Sequence, residues 1–390
     1  MFVCVLPVRS SIKAGRYHKK VFTALRIAAK WPAEKKSLAD AAQDGAFLMK
    51  LLFVGDVMLG RLVNETLKSM PPAYPWGNTL PVFRESDLRI CNLECVVSDR
   101  GAPWSLTQKT FHFRSDAKNI ESLKSPGFNV VSLANNHALD YEYEALIEMA
   151  RHLDRAGISH SGAGTDFRQA SQPALIRAGG LTIGFIAFTD SEPEWEATDR
   201  DPGVFHVPMD PGDERARRLF DLVRKTKEQA DLVIVSAHWG GNWGYQPEPG
   251  HVPFARMLVD SGADIVFGHS CHVFRGIEIY RERLILYGTG DFVNDYAVDE
   301  VERNDESFIF VVRTESSRIT GLTLYPTVVS HMQARLAGPR DAVVIADRMQ
   351  RLCEKLGTES RWNEEKRCLE IAVKKEEKVG KSEGESGGDS

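Results

Sequence analysis

At 390 residues, with 43% hydrophobic and 26% charged residues, the chain has the size and composition of a soluble globular protein of one large or two ordinary domains. Mostly disordered, collagen-like and disulfide-stapled miniprotein architectures are excluded. Forty-nine basic against 54 acidic residues leave a net charge of −5, which gives no reason to expect a nucleic-acid partner, and no apolar run approaches the ~20 residues of a membrane span.

Residues 1–48 differ from the rest, with nine Lys or Arg against three acids, none of them before Glu34. A basic, acid-poor start is the composition of a transit peptide, with a short basic helix at 21–30. The run Met49-Lys50-Leu51-Leu52-Phe53-Val54-Gly55-Asp56 reads instead as the start of a domain, which favours a mis-started or loosely attached extension upstream. Strands are expected at 51–54, 88–91, 129–133, 182–188, 232–236 and 264–267, each an unbroken apolar run of the kind covered on both faces. Helices are expected at 141–156, 213–229 and 251–262, with Gly157 and Gly262 as C-terminal stops. Beyond Gly268 the pattern turns to strands, at 275–280, 284–287, 307–314 and 319–328. This predicts an α/β layered domain over 49–335 with an antiparallel return half. A docking helix at 341–356 is expected within a C-terminal helical segment, 336–373, and a disordered tail from 374 to 390. The six cysteines (Cys4, Cys91, Cys95, Cys271, Cys353, Cys368) have no Cys-x-x-Cys spacing and read as reduced, mostly buried thiols of a cytoplasmic protein.

Polar residues collect just beyond the carboxyl ends of the expected strands, where open α/β sheets carry their chemistry. They are Gly55-Asp56-Val57-Met58-Leu59-Gly60-Arg61, Asn92-Leu93-Glu94, Asn135-Asn136-His137-Ala138-Leu139-Asp140, His238-Trp239-Gly240, Gly268-His269-Ser270-Cys271-His272 and Gly290-Asp291-Phe292. Singly, each has an ordinary explanation. Asp56 fits a helix cap, His238 a structural histidine and Asn135-Asn136 a turn. His160, His206, His251 and His331 lack such company and read as ordinary residues. Together, the carboxylates and imidazoles suit one or two divalent ions of Mn, Fe or Zn. Two such ions clamp the attacking and leaving oxygens of a phosphoryl displacement. Trp239, Trp243 and Tyr245 fit either a pocket wall or rim packing.

Six ordered motifs across residues 51–295 carry a resemblance to the CapA-type, poly-gamma-glutamate capsule-synthesis family, itself similar to calcineurin-like metallophosphoesterases. The resemblance implies a four-layer α/β/β/α sandwich with metals at one edge. It implies metal-ligand positions at Asp56, Glu94, Asn136, His238, His269 and His272, with Glu94 in the bridging role. His137 becomes the general acid, Asp140 its orienting partner, and Arg61 a holder of substrate phosphate or carboxylate. Three departures stand out. Met58 occupies the histidine position of the metallophosphoesterase Asp-x-His motif. One extra residue separates His269 from His272. Asp291 stands where much of the family has Asn, and supplies a carboxylate that can serve as a ligand or bond backbone amides.

The resemblance therefore implies a metal-dependent, phosphoesterase-like hydrolase acting on an anionic small molecule or polymer end. Its alternatives are a non-hydrolytic accessory protein working beside a polymer-synthesis ligase, and a protein with a vestigial site.

Overall fold

The computed structural model describes residues 48–374. The basic helix expected at 21–30 and the tail at 375–390 lie outside the described residues. Two sheets organise the chain. The larger runs in the order Arg361–Asn363, Cys368–Ala372, Arg318–Ser330, Glu306–Glu315, Leu48–Val57, Leu88–Leu93, Val130–Ser132 and Ser159–Ser161, with Asp291–Val293 added beside Leu48–Val57 and Gln333–Leu336 beside Arg318–Ser330. The smaller runs Ile277–Tyr280, Arg283–Leu286, Ile265–His269, Leu232–His238, Leu181–Thr189 and Ala174–Ala178.

In each sheet the strands near the site are parallel; antiparallel strands follow later in the chain in the large sheet, and lie at both edges of the small one. Parallel strands are covered on both faces, which is why Leu51 to Val57 and Leu232 to His238 are buried at every position.

Three apolar cores separate four layers, α/β/β/α. One lies between the sheets and includes Phe53, Ile90, Phe185, Ile234 and Phe267. A second joins the outer face of the large sheet, through Leu52, Val54 and Val131, to Leu146, Met149 and Leu153 of the helix Glu142–Ala156. A third joins Ile186, Val233 and Val235 of the small sheet to the helices Glu214–Lys227 and His251–Asp260.

The helix ends follow from sequence. Asp213 caps the second of these helices by accepting the Arg215 N–H, and Gly157 closes the first in the left-handed region at φ 71°. The helix Pro339–Glu354 packs Ile345, Met349 and Leu352 into the core between the sheets. The hairpin Arg361–Asn363/Cys368–Ala372 then returns to the large sheet, so the C-terminal segment is strand as well as helix. Cys91, Cys95, Cys271, Cys353 and Cys368 are buried and unpaired. No helix among the described residues is long and apolar enough to cross a membrane.

Candidate metal centre

Asp56 lies one residue from the end of the first strand, in register with Asn92 on one side and Asp291 on the other. Glycines allow this approach. A Cβ on Gly55 would stand 1.7 Å from the carbonyl oxygen of Gly290, the group that accepts the Asp56 N–H at 3.0 Å. Asp56 caps no helix, because the next one, Arg61–Thr66, begins after Gly60 without a side-chain cap. Its Oδ1 accepts from Asn92 Nδ2 at 2.8 Å, and Asn92 Oδ1 accepts from Asn135 Nδ2 at 2.9 Å. Asn135 Oδ1 accepts the His137 N–H at 3.0 Å. Asn135 is therefore the turn residue of the pair, and Asn136 lines the cavity. Met58 turns into the core, with its sulfur 3.0 Å from the Gly60 N–H.

The second sheet supplies imidazoles. His238 and His269 end neighbouring parallel strands in mutual register, and their Nδ1 atoms are 2.9 Å apart. Outward, His269 Nε2 meets Ser236 Oγ at 2.8 Å and His238 Nε2 meets Asn136 Oδ1 at 3.1 Å. With Nε2–H donated outward on both rings, both Nδ1 lone pairs face each other and Asp56, whose Oδ1 is 3.7 Å from His269 Nδ1. Burial holds His269 down to about 3, and burial with repulsion from His269 holds His238 well below the ordinary imidazole range. Both rings are therefore neutral and able to act as ligands.

The extra residue between His269 and His272 is accommodated by left-handed backbone at Ser270 (φ 101°) and His272 (φ 56°). The bend brings His272 Nδ1 to 2.9 Å from Asp291 Oδ1. Burial opposes charge on this ring, but Asp291 and then Asp56 carry it up to about 9.

The donor atoms form two groups, each within 4.8 Å: Asp56, His238 and His269, and Asp56, Glu94, His272 and Asp291. Asp56, rather than Glu94, is common to both. Burial, followed by repulsion from Asp291, pushes the Asp56 carboxyl up to about 7. Glu94 is raised well above its ordinary range by burial and by the two aspartates, and Glu94 Oε2 has no hydrogen-bond partner among the described residues. Asp291 is also raised by burial, against the pull of His272. Three carboxylates that resist ionising together, beside two neutral imidazoles, fit divalent cations.

His137 belongs to neither group. Its Nδ1 is 2.6 Å from Asp140 Oδ2, which also accepts the Phe113 N–H at 2.6 Å. Phe113 stacks on the imidazole at 4.0 Å. Burial lowers the His137 pKa, although Asp140 pulls it upward. Its side faces a cavity of about 580 Å³ shared with Arg61, Asn136, His272, Trp243 and Tyr296. Arg61 reaches Asp295 through Nε at 3.2 Å and lies over the rings of Phe113 and Tyr296.

Of the three aromatics, only Trp243 reaches this wall. Trp239 is fully buried against His251 at 4.7 Å, and Tyr245 packs on Phe274 and Arg348. Sequence reasoning did not single out Lys109, Glu192 or Tyr296. A lone lysine or glutamate in an aperiodic loop carries no signal, though Tyr296 lies five residues past Asp291. A larger cavity, about 710 Å³, lies beside the helix Glu142–Ala156 and contains none of these donor groups.

Residues 50–296 match the family described as "Bacterial capsule synthesis protein PGA_cap". A Mycobacterium tuberculosis relative named "Probable polyglutamine synthesis accessory protein" is 35% identical over 297 residues, covering 73% of this chain and 77% of its own. The capsule biosynthesis protein CapA of Bacillus anthracis is 29% identical over 271 residues, covering 69% of this chain and 65% of its own. Among solved structures, a novel phosphatase from Mycoplasma pneumoniae aligns with 74% of this chain and 92% of its own at 14% identity and a TM-score of 0.43. By the family match over residues 50–296 and the 35%-identical mycobacterial relative, the chain belongs to the bacterial capsule synthesis PGA_cap family.

Proposed function

We propose that this CapA-family protein is a divalent-metal-dependent hydrolase of the phosphoesterase type, acting on an anionic substrate in capsule-polymer biosynthesis. The observation that carries this reading is the pair of donor groups sharing Asp56, with a separate histidine–aspartate pair beside them. The ligands would be Asp56, His238 and His269 for one ion, and Asp56, Glu94, His272 and Asp291 for the other, with Asn136 beside His238. Mn, Fe or Zn bound there would polarise a phosphoryl oxygen and lower the pKa of water.

The remaining residues have distinct tasks. Arg61 places the anionic group in the cavity. Asp140 fixes the His137 tautomer with Nδ1–H toward itself, leaving Nε2 to protonate a leaving oxygen. Phe113 excludes water from one face of that imidazole. The test is hydrolysis of a generic phosphoester with Mn²⁺, measured beside metal content. His137→Ala should lose about 100-fold or more in kcat while keeping its metal. Full activity in that variant would remove the assigned role.

A second reading is favoured by the accessory-protein name of the mycobacterial relative and by Met58 in place of a ligand. Here the site binds the end of an anionic polymer such as polyglutamate, beside a polymer-synthesis ligase, without turnover. Polyglutamate binding that requires metal, with no ester hydrolysis, would favour it over the first reading.

A further inference from the structure

Lys109 lies in the long loop between the short strands Val96–Val97 and Arg114–Ser115, yet its side chain is only 7% exposed. Its Nζ donates to the Asn136 carbonyl oxygen at 2.6 Å and to Glu192 Oε1 at 2.9 Å, and lies 3.6 Å from Asp140 Oδ1. The Trp195 ring faces it at 4.7 Å. An ammonium has three N–H groups, and three oxygens surround this one. Two of these N–H groups are taken by hydrogen bonds and the third faces Asp140 Oδ1 beyond hydrogen-bond distance; Lys109 lines the same cavity as Arg61, but its side chain is 7% exposed where that of Arg61 is 40% exposed.

What Lys109 touches defines its task. Asp140 uses Oδ2 on His137 and the Phe113 N–H, while its buried Oδ1 has no hydrogen bond and faces the lysine charge. The Asn136 carbonyl belongs to the residue whose side chain meets His238. On the far side Glu192, in left-handed backbone at φ 51°, follows the small-sheet strand Leu181–Thr189, whereas Asn136 and Asp140 follow the large-sheet strand Val130–Ser132. The loops of both sheets thus meet at one ammonium.

We propose that Lys109 is a positioning residue: it fixes Asp140 and the Asn136 peptide, and so the aim of His137, by tethering both across the cavity to Glu192. Its kinetic consequence rests on the hydrolase reading, but its structural consequence does not. Two readouts are therefore taken on full-length wild type, Lys109→Met and Glu192→Gln. The first is kcat and KM for p-nitrophenyl phosphate with Mn²⁺, together with Mn per chain. The second is the imidazole spectrum of ¹⁵N-histidine-labelled, Zn²⁺-loaded protein, with the His137 signal identified by its loss in His137→Asn.

Lys109→Met should lower kcat about 100-fold, the scale of a misplaced catalytic group, with KM and metal content within twofold of wild type. The protected Nδ1–H signal of His137 should weaken while those of His238 and His269 stay in place. Glu192→Gln keeps the ammonium and loosens its tether. It should show the same pattern at about tenfold, and it decides the matter if Lys109→Met does not fold. Unchanged kcat and an unchanged His137 signal in the folded variants would overturn the proposal. So would metal loss in step with kcat, which would make Lys109 a support of the metal ligands and not of His137. If wild type cleaves no ester, the hydrolase reading fails and the His137 signal alone decides the role of Lys109.

Discussion

Removing a charge from the centre should stabilise the metal-free protein, and Asp56→Asn is the sharpest case. Asp56 is 1% exposed, and burial with repulsion from Asp291 raises its carboxyl from 3.8 to about 7. The folded state thus holds this proton more tightly than the unfolded chain does. The associated stability is fully present below pH 3.8 and is lost as pH rises through about 7. A shift of about 3 units at 1.36 kcal/mol each puts the penalty at pH 8 near 4 kcal/mol, shared with Asp291 and His272. Asparagine keeps an oxygen for Asn92 Nδ2, but the Ser270 N–H, 3.3 Å from Asp56 Oδ2, loses its acceptor at a cost of about 1 kcal/mol. In chelator at pH 8, Asp56→Asn should therefore be more stable by about 2–3 kcal/mol, and the gap should close toward pH 4. Saturating Mn²⁺ should reverse the order, since wild type gains about 4 kcal/mol when the ion is at a thousand times its Kd. Urea unfolding at pH 8 and pH 4, with and without metal, measures all of these. An Asp56→Asn protein less stable than wild type in chelator at pH 8 would refute the reasoning.

Other consequences are more local. His269→Ala should remove at least one metal equivalent by elemental analysis, because its ring is one of three donors in its group. Gly55→Ala forces a Cβ to 1.7 Å from a backbone oxygen, so it should unfold the site edge, read as a melting temperature well below wild type and as lost metal. His251 is held near 4 by burial first and then by Arg275, below the 6.5 of the unfolded chain, and it stacks on Trp239. Its contribution is present above pH 6.5 and is lost as pH falls toward 4, up to about 3 kcal/mol. His251→Gln should flatten that part of the stability–pH curve relative to wild type, and an equally steep curve would discount the burial argument.

Much of the architecture was legible because buried parallel strands announce themselves as unbroken apolar runs. Residues 232–236 fall within the strand Leu232–His238, and 264–267 overlap Ile265–His269 except at Asp264. The edge strand Ala174–Ala178 escaped notice: only one face packs, so Ala174-Leu175-Ile176-Arg177-Ala178 alternates over too few residues to stand out. Asp56, His238 and His269 were legible because they fall at or next to strand ends, whereas the pairing of His137 with Asp140 came only from the family resemblance. That Asp56 rather than Glu94 is shared could not be read, since it depends on how two sheets pack. The same holds for Lys109, whose partners Asn136 and Glu192 are 27 and 83 residues away. Trp239 and Trp243 look alike as neighbours of His238, but one points into a packed layer and the other over the cavity.

The donors are divided by layer. Asp56, Glu94 and Asp291 are carried by the large sheet and its loops, while His238, His269 and His272 are carried by the small one. Between the layers, Phe53 and Phe267 meet at 5.2 Å, three residues before Asp56 and two before His269. This dry contact acts as a spacer for a wet one. Trimming either ring would let the sheets settle closer or slide, changing the bite offered to a cation without touching a ligand. If the site holds an ion as proposed, its preference would be adjustable from the hydrocarbon interior, and swaps such as Phe53→Leu or Phe267→Leu would alter metal selectivity as well as stability.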